Sequence, residues 1–324
     1  MTRNSNLEAC IDRAFELSTP LCRARFGDLV ADILANDTAR PQGFERALLP
    51  TDAPAAARFA ILTGDIPEFR QIVPEQADRV HVLTGPDFYA HWRPAPDATF
   101  AVFDLAARRG VTWYPEAAAP AGAIGHPCVA LVHAAILETD WCVAHAAAVG
   151  RQDRFVLLMG PGKAGKSTAT LACVEAGWDY AGDDLVLLDP ARGLVAPMFS
   201  SARLRSSGAD RFRHLADAAF MVSDDGGAPR FELRLPIAPR GGRVHAIVGI
   251  RRKGAPEVRI EPGRAADYLG PLLRDSANRA PGYAAVTTRK LFAAARMAPV
   301  FSVDTGTDPA AIPAGLSELL GGLP

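Results

Sequence analysis

The chain has 324 residues, 49% hydrophobic and 22% charged, with a formal net charge of −1. That is length enough for a sizeable core in two domains, and it excludes a global basic field that would draw nucleic acid or an anionic membrane. No apolar run approaches the roughly 18–20 residues that span a bilayer, and the acid-bearing start MTRNSNLEACIDRAFEL lacks the apolar core of a secretory signal.

Five scattered cysteines, Cys10, Cys22, Cys128, Cys142 and Cys173, form neither a CxxC nor a metal-ligand spacing, so free buried thiols in a reducing cytoplasm are expected. Hydrophobic periodicity predicts helices over Leu7–Leu17 and Phe26–Leu34. Short strands are expected at Phe59–Thr63, Val80–Thr84 and Thr99–Asp104, separated by turn residues. The stretch PEAAAPAGAIG, Pro115–Gly125, reads as a linker. It divides an N-terminal α+β domain, 1–124, from a domain at 125–324.

Beyond the linker, Cys128–Leu137 reads as an apolar helix, followed by β-like runs at Trp141–Val149 and Arg154–Met159. The polar residues Gly150–Asp153 between these runs suit a hairpin turn. A helix over Lys166–Ala176 is stopped by Gly177. Strands are expected at Leu185–Leu188, Phe231–Leu235, Arg243–Ile250, Val258–Ile260 and Val300–Val303. Helices are expected at Ala265–Leu273 and within Ala310–Leu320. The order is that of a mixed α/β domain.

The strand FVLLM runs into Gly160-Pro161-Gly162-Lys163-Ala164-Gly165-Lys166-Ser167, with Thr168 next, and a helix leaves it. This is GxxxxGK[ST] in strand–loop–helix context. Glycines let successive backbone N–H groups turn inward on phosphate oxygens, and the helix start adds its positive dipole end. In such a loop Lys166 reaches the β- and γ-phosphates and Ser167 lies on Mg²⁺. ATP and Mg²⁺ are therefore the expected ligands, and Lys163 is a further candidate for phosphate contact.

A phosphate loop of this kind needs a carboxylate that organises the metal. Asp189, ending LVLLD, precedes Pro-Ala-Arg-Gly, and Asp-Pro is a β-turn opening that explains it structurally. Asp183-Asp184 has no such explanation. Adjacent carboxylates repel unless a cation or a shared proton relieves them. These two are the expected functional acids.

HAAAV, FVLLMGPGKAGKST, LACVEAGWDYAGDD and LVLLD together resemble the catalytic domain of HPr kinase/phosphorylase and its wider relatives. The match is tight over Val143–Asp189 and looser from His126 to the C-terminus. The resemblance implies an HPr kinase C-terminal type fold, a P-loop domain on a mixed sheet. It also implies a transferase in which one acid takes the proton of an attacking hydroxyl. By position the base is Asp183 and Asp184 has a metal or support role, with the reverse order open. His145 matches the family histidine, which orients an acid or stabilises charge. The family's Glu-x-Arg-Gly signature is absent, and the nearest stretch is Phe231-Glu232-Leu233-Arg234-Leu235. The chain is thus more similar to the divergent relatives, some of which phosphorylate serine on small peptides.

The acceptor is expected to be a hydroxyl of a peptide, a small protein or a metabolite, and the family makes self-association an expectation. A nucleotide-binding regulatory module without kinase activity is the reading from a different class. Weaker candidates are Arg203, Arg205, Arg230, Arg234, Arg251 and Arg252 as transferring-group cations. Ser206-Ser207-Gly208 and Asp224-Asp225-Gly226-Gly227 are expected as flexible loops. Trp178 and Tyr180 are expected to pack the sheet, and His126, His133 and His245 to be structural.

Overall fold

The computed structural model describes residues 3–72, 80–94, 98–224, 228–235, 237–251, 256–277 and 282–324. The chain is mixed α/β and divides into two compact units, Met1–Glu138 with Arg279–Ala284, and Thr139–Asn278 with Ala285–Pro324. Along the chain the break comes after the helix Val129–Ala135 and not within Pro115–Gly125. That helix packs on strands of the first unit, and part of the expected linker is itself a short helix, Ala121–Gly125. Among the described residues no helix is long and apolar enough to cross a membrane.

The first unit holds β1 (Thr19–Phe26), β2 (Leu29–Ala35), β3 (Ala57–Thr63), β4 (His81–Thr84), β5 (Phe88–Arg93), β6 (Thr99–Asp104) and β7 (Arg109–Tyr114), in the order β1-β2-β3-β7-β6-β5-β4. The helix Arg3–Glu16 lays Leu7, Cys10, Ile11 and Ala14 on Leu62, Val102 and Trp113. The helix expected over Phe26–Leu34 does not form. Phe26 pairs directly with Leu29 in a β1–β2 hairpin, with Gly27 and Asp28 as its turn. The apolar spacing fits a helical face, but β2 is an interior strand covered almost throughout its length. Such strands carry near-continuous apolar runs that periodicity cannot tell from a helix.

The second unit is built on a nine-stranded sheet. Its strands are β8 (Cys142–Ala144), β9 (Ala147–Arg151), β10 (Arg154–Met159), β11 (Asp179–Gly182), β12 (Val186–Asp189) and β13 (Leu194–Pro197), with three more to follow. A small sheet is formed by β14 (Ser201–Arg205), β15 (Met221–Asp224) and β16 (Pro229–Arg234). The large sheet is completed by β17 (Gly242–Arg251), β18 (Arg259–Pro262) and β19 (Val300–Asp304). Its order is β11-β9-β10-β17-β13-β12-β8, with β19 also pairing β17 and β18 pairing β19. β10–β17 and β17–β19 are parallel.

Alternation along β10 explains why this sheet is filled on both faces. Phe155, Leu157 and Met159 join Tyr268, Leu272 and Leu291 from the helices Ala266–Ala277 and Ala284–Ala294. Val156 and Leu158 join Ala169 and Cys173 from the helix Lys166–Glu175, and Ile312 and Leu316 from Ile312–Gly321. The expected run Trp141–Val149 is two strands. A tight turn, Ala146 N–H to Ala144 C=O at 3.0 Å, breaks it at His145. The halves then serve different neighbours, β8 pairing β12 while β9 pairs β10 and β11. The hairpin turn expected at Gly150–Asp153 is present, with Arg151 opposite Arg154.

Gly249, mid-strand in β17, lies against the face of Tyr268, where a Cβ would fall 2.0 Å from the ring. The Tyr268 hydroxyl is fixed to Ser302 Oγ at 2.6 Å, so the ring cannot retreat without breaking that bond. Gly249→Ala is expected to cost about 1–3 kcal/mol by overpacking, read as a lower urea midpoint. An unchanged midpoint would contradict this packing.

Candidate functional site

The site starts where β10 ends. From Gly160 to Gly165 the chain forms a loop that is exposed at its tip, Pro161, Gly162 and Lys163, and then enters the helix Lys166–Glu175. Gly165 is the residue before the first helical turn and has φ 107°, a conformation that L side chains rarely adopt. A substitution there would unseat the helix start. Lys166 is buried, and its Nζ curls back to donate to Gly160 C=O at 2.8 Å and to approach Pro161 C=O at 3.4 Å. Thr168 is half-buried in the same first turn. The far end of the helix closes in a Schellman pattern, Gly177 N–H to Val174 C=O and Trp178 N–H to Cys173 C=O, each 3.0 Å.

The acid pair comes from the turn between β11 and β12. Gly182, with φ 157°, lies so close to Val186 that a Cβ would fall 2.7 Å from its methyl group. Only glycine lets the chain turn there, and the turn carries Asp183 and Asp184 towards the loop. Asp183 is almost fully buried. Its Oδ1 accepts from Ser167 Oγ at 3.0 Å and its Oδ2 from the Arg203 backbone N–H at 3.1 Å. Burial, and then the neighbouring Asp184, push its pKa above the ordinary carboxylate range.

Asp184 takes the opposite kind of neighbour. Its Oδ1 lies 2.8 Å from His145 Nε2, and its Oδ2 accepts from Arg203 Nη1 at 2.6 Å. Arg203 also donates through Nε to Glu232 Oε1 at 2.8 Å, with Arg230 Nη2 3.5 Å from the same oxygen. Glu232 is fully buried, and burial raises its pKa against the pull of the two arginines. His145 is held from behind. Its backbone N–H donates to the buried Ser276 Oγ at 2.9 Å, and its Nδ1 faces Asp275 Oδ2 at 3.4 Å.

The structure therefore brings Lys166, Ser167, Asp183, Asp184 and His145 together, with Arg203 among them. Asp189 stands apart as a turn-former. Its carboxylate accepts from Arg192 N–H at 2.9 Å and from Arg192 Nε at 2.5 Å. Arg251 pairs with Asp267 and lies over the Tyr268 ring. Arg252 and Asp225-Gly226-Gly227 lie outside the described residues. The first of the two expected flexible loops is a short helical turn, Ser206–Ala209. Tyr180 and Trp178 are buried, and the Tyr180 hydroxyl donates to Ser201 C=O at 2.6 Å.

Sequence patterning points to neither Asp275 nor Ser276 of the cluster, and it meets Glu232 only within Phe231-Glu232-Leu233-Arg234-Leu235, the stretch nearest to the absent Glu-x-Arg-Gly signature. Glu232 left a trace as a lone acid in the apolar alternation FELRL, whereas Asp275 and Ser276 arrive through helix packing and left none. Among the described residues no three His, Cys, Asp or Glu side chains are grouped to hold a metal ion by themselves.

No family model matches the chain, and no curated protein matches it. Among solved structures it is similar to the Hpr(Ser) kinase/phosphatase from Coxiella burnetii, at 13% identity and a TM-score of 0.26. The likeness covers 56% of this chain and 94% of that one.

Asp183→Asn preserves both hydrogen bonds, since the amide oxygen accepts from Arg203 N–H and the Ser167 hydroxyl turns to accept from the amide nitrogen. It removes only the buried charge. The variant is expected to be more stable than the parent at neutral pH, by about 0.5–2 kcal/mol, as for relief of a strained functional site. The sign follows from the raised pKa. The folded state retains a proton that the unfolded state releases, so ionisation of Asp183 weighs against folding as pH rises. The gap between variant and parent should close as pH falls towards the ordinary value of 3.8. Denaturation across pH checks this, and a less stable Asp183→Asn at neutral pH would contradict it.

Proposed function

We propose that the second unit is an ATP-dependent kinase that transfers the γ-phosphoryl group to a hydroxyl, a serine of a peptide or small protein. The observation that supports this reading is the meeting of two pairs beside the glycine loop, Ser167 with Asp183 and Asp184 with His145. The loop and first helical turn offer N–H groups to the polyphosphate. Lys166, resting on the Gly160 carbonyl, has only to swing its ammonium from that oxygen to a phosphate oxygen.

The hydroxyl–carboxylate pair of Ser167 and Asp183 fits Mg²⁺, which is commonly held by one or two protein oxygens with water and phosphate completing its shell. Held there, Mg²⁺ would neutralise the charge between the β- and γ-phosphates. This reverses the positional assignment of the acids. Asp183 shares its oxygen with Ser167 and suits the cation. Asp184 is more exposed, with 15% of its side chain accessible, and bonds to His145.

Asp184 then acts as base. As the acceptor oxygen bonds to the γ-phosphorus and the bond to the β-phosphate oxygen breaks, Asp184 takes the hydroxyl proton. ADP leaves with the former bridging oxygen. His145 and Arg203 hold the Asp184 carboxylate in position, and Arg203 places a guanidinium beside the charge that builds on the transferring group.

Lys166→Ala is expected to abolish nucleotide binding, measured by fluorescence of a labelled ATP analogue, and retained affinity would refute the phosphate role of the loop. Asp184→Asn should bind nucleotide and Mg²⁺ normally but lose about 10²–10⁴-fold in transfer. Asp183→Asn should instead lose the Mg²⁺ dependence of nucleotide binding. Full transfer by Asp184→Asn would move the base elsewhere.

A further inference from the structure

The small sheet beside the acid pair has one face of unusual charge. Directly opposed residues of antiparallel strands share a face. In the order β14-β16-β15, Arg203 stands opposite Glu232 and Glu232 opposite Met221. Arg205 stands opposite Arg230 and Arg230 opposite Ser223, while Ser201 stands opposite Arg234. The alternate residues Ala202, Leu204 and Leu233 are buried with Leu171 and Phe212 in a separate core. The polar face thus points away from that core. It carries four guanidinium groups, Arg203, Arg205, Arg230 and Arg234, against one carboxylate, Glu232. Arg205 and Arg234 are exposed.

The face is joined to the acid pair. Arg203 reaches Asp184 through Nη1 and Asp183 through its backbone N–H. Successive residues on one face of a strand are about 7 Å apart. The Arg205–Arg230 rung lies one such step from Arg203 on one side, and the Arg234 rung one step on the other. An extended peptide has the same repeat, so a hydroxyl held at Asp184 would have its neighbours two residues away beside these two rungs.

We propose that this arginine face docks the acceptor, and that the acceptor is an extended acidic peptide segment. Its Asp or Glu residues, about two positions before and after the hydroxyl, seat on Arg234 and on Arg205 with Arg230. Guanidinium–carboxylate pairs are directional and attractive at range, so the face both steers and registers the peptide. The inference rests on the kinase reading of the acid pair and adds the class of its substrate.

The test uses the full-length protein and short serine peptides labelled with fluorescein, carrying Glu, Gln or Lys two residues before and after the serine. Binding is read by anisotropy and transfer with labelled ATP. The Glu peptide is expected to bind about tenfold or more tighter than the Gln peptide, and to be phosphorylated with a lower KM at similar kcat. The margin should shrink between about 50 and about 300 mM salt as the charges are screened.

Arg205→Glu with Arg234→Glu should invert the ranking in favour of the Lys peptide. Arg205→Gln with Arg234→Gln, at exposed positions and without a new charge, should erase it. Equal binding of Glu and Gln peptides by the parent overturns the proposal. So does a ranking unchanged in both double variants, or charge reversal that weakens nucleotide binding and leaves the peptide ranking intact. Anisotropy does not depend on chemistry. Ranked binding without transfer would therefore leave the docking face standing and sink the kinase reading, whereas transfer to Glu and Gln peptides alike would do the opposite.

Discussion

Adjacent carboxylates in a nearly dry turn repel each other, and the surroundings of Asp183 and Asp184 are arranged against that repulsion. Asp183 has two neutral donors, the Ser167 hydroxyl and the Arg203 amide, which stabilise its charge without cancelling it. Asp184 has a guanidinium and an imidazole. Burial keeps the Asp183 pKa raised despite its donors. A fold keeps a buried charge only when partners compensate it. Here the compensation comes from three separate parts of the chain, namely the helix after the glycine loop, the break between β8 and β9, and strand β14, whose Arg203 is held in turn by Glu232 of β16.

That distribution ties the fold to the site. β10 and β17 are parallel neighbours, and Ile250 at the end of β17 lies against Gly160, so the loop rises from the middle of the sheet. The β8–β9 break frees His145 from the ladder just where β12 brings the acids past β8. The helix Ala266–Ala277 packs its Tyr268 and Leu272 on the sheet and thereby delivers Asp275 and Ser276 to the back of His145. Each polar contact is thus set by apolar packing elsewhere on the same element.

Local signals were the legible ones. The glycine loop, its helix and the stop at Gly177 follow from short-range backbone chemistry, and the helix expected over Lys166–Ala176 spans Lys166–Glu175. Asp189 is legible as a turn-former because Asp-Pro is itself a local signal. What failed was long-range or ambiguous. β2 looks helical because an interior strand shares the apolar density of a helix. Trp141–Val149 looks like one strand because nothing in HAAAV announces that its halves pair with different partners. Glu232 and Asp275 join the cluster across 29 residues to Arg203 and over a helix to His145, and no residue pattern spells such meetings.

On the proposed reading, the loop and the Ser167–Asp183 pair together hold a nucleotide's polyphosphate and its cation. A crystal structure with a non-hydrolysable ATP analogue and Mg²⁺ tests it most directly. Phosphate oxygens are expected within hydrogen-bond reach of Lys166 Nζ, which has left the Gly160 carbonyl, with a cation on Ser167 Oγ and Asp183 beside it. A nucleotide bound elsewhere, with Lys166 still on Gly160 and Ser167 still bonded to Asp183, would contradict it.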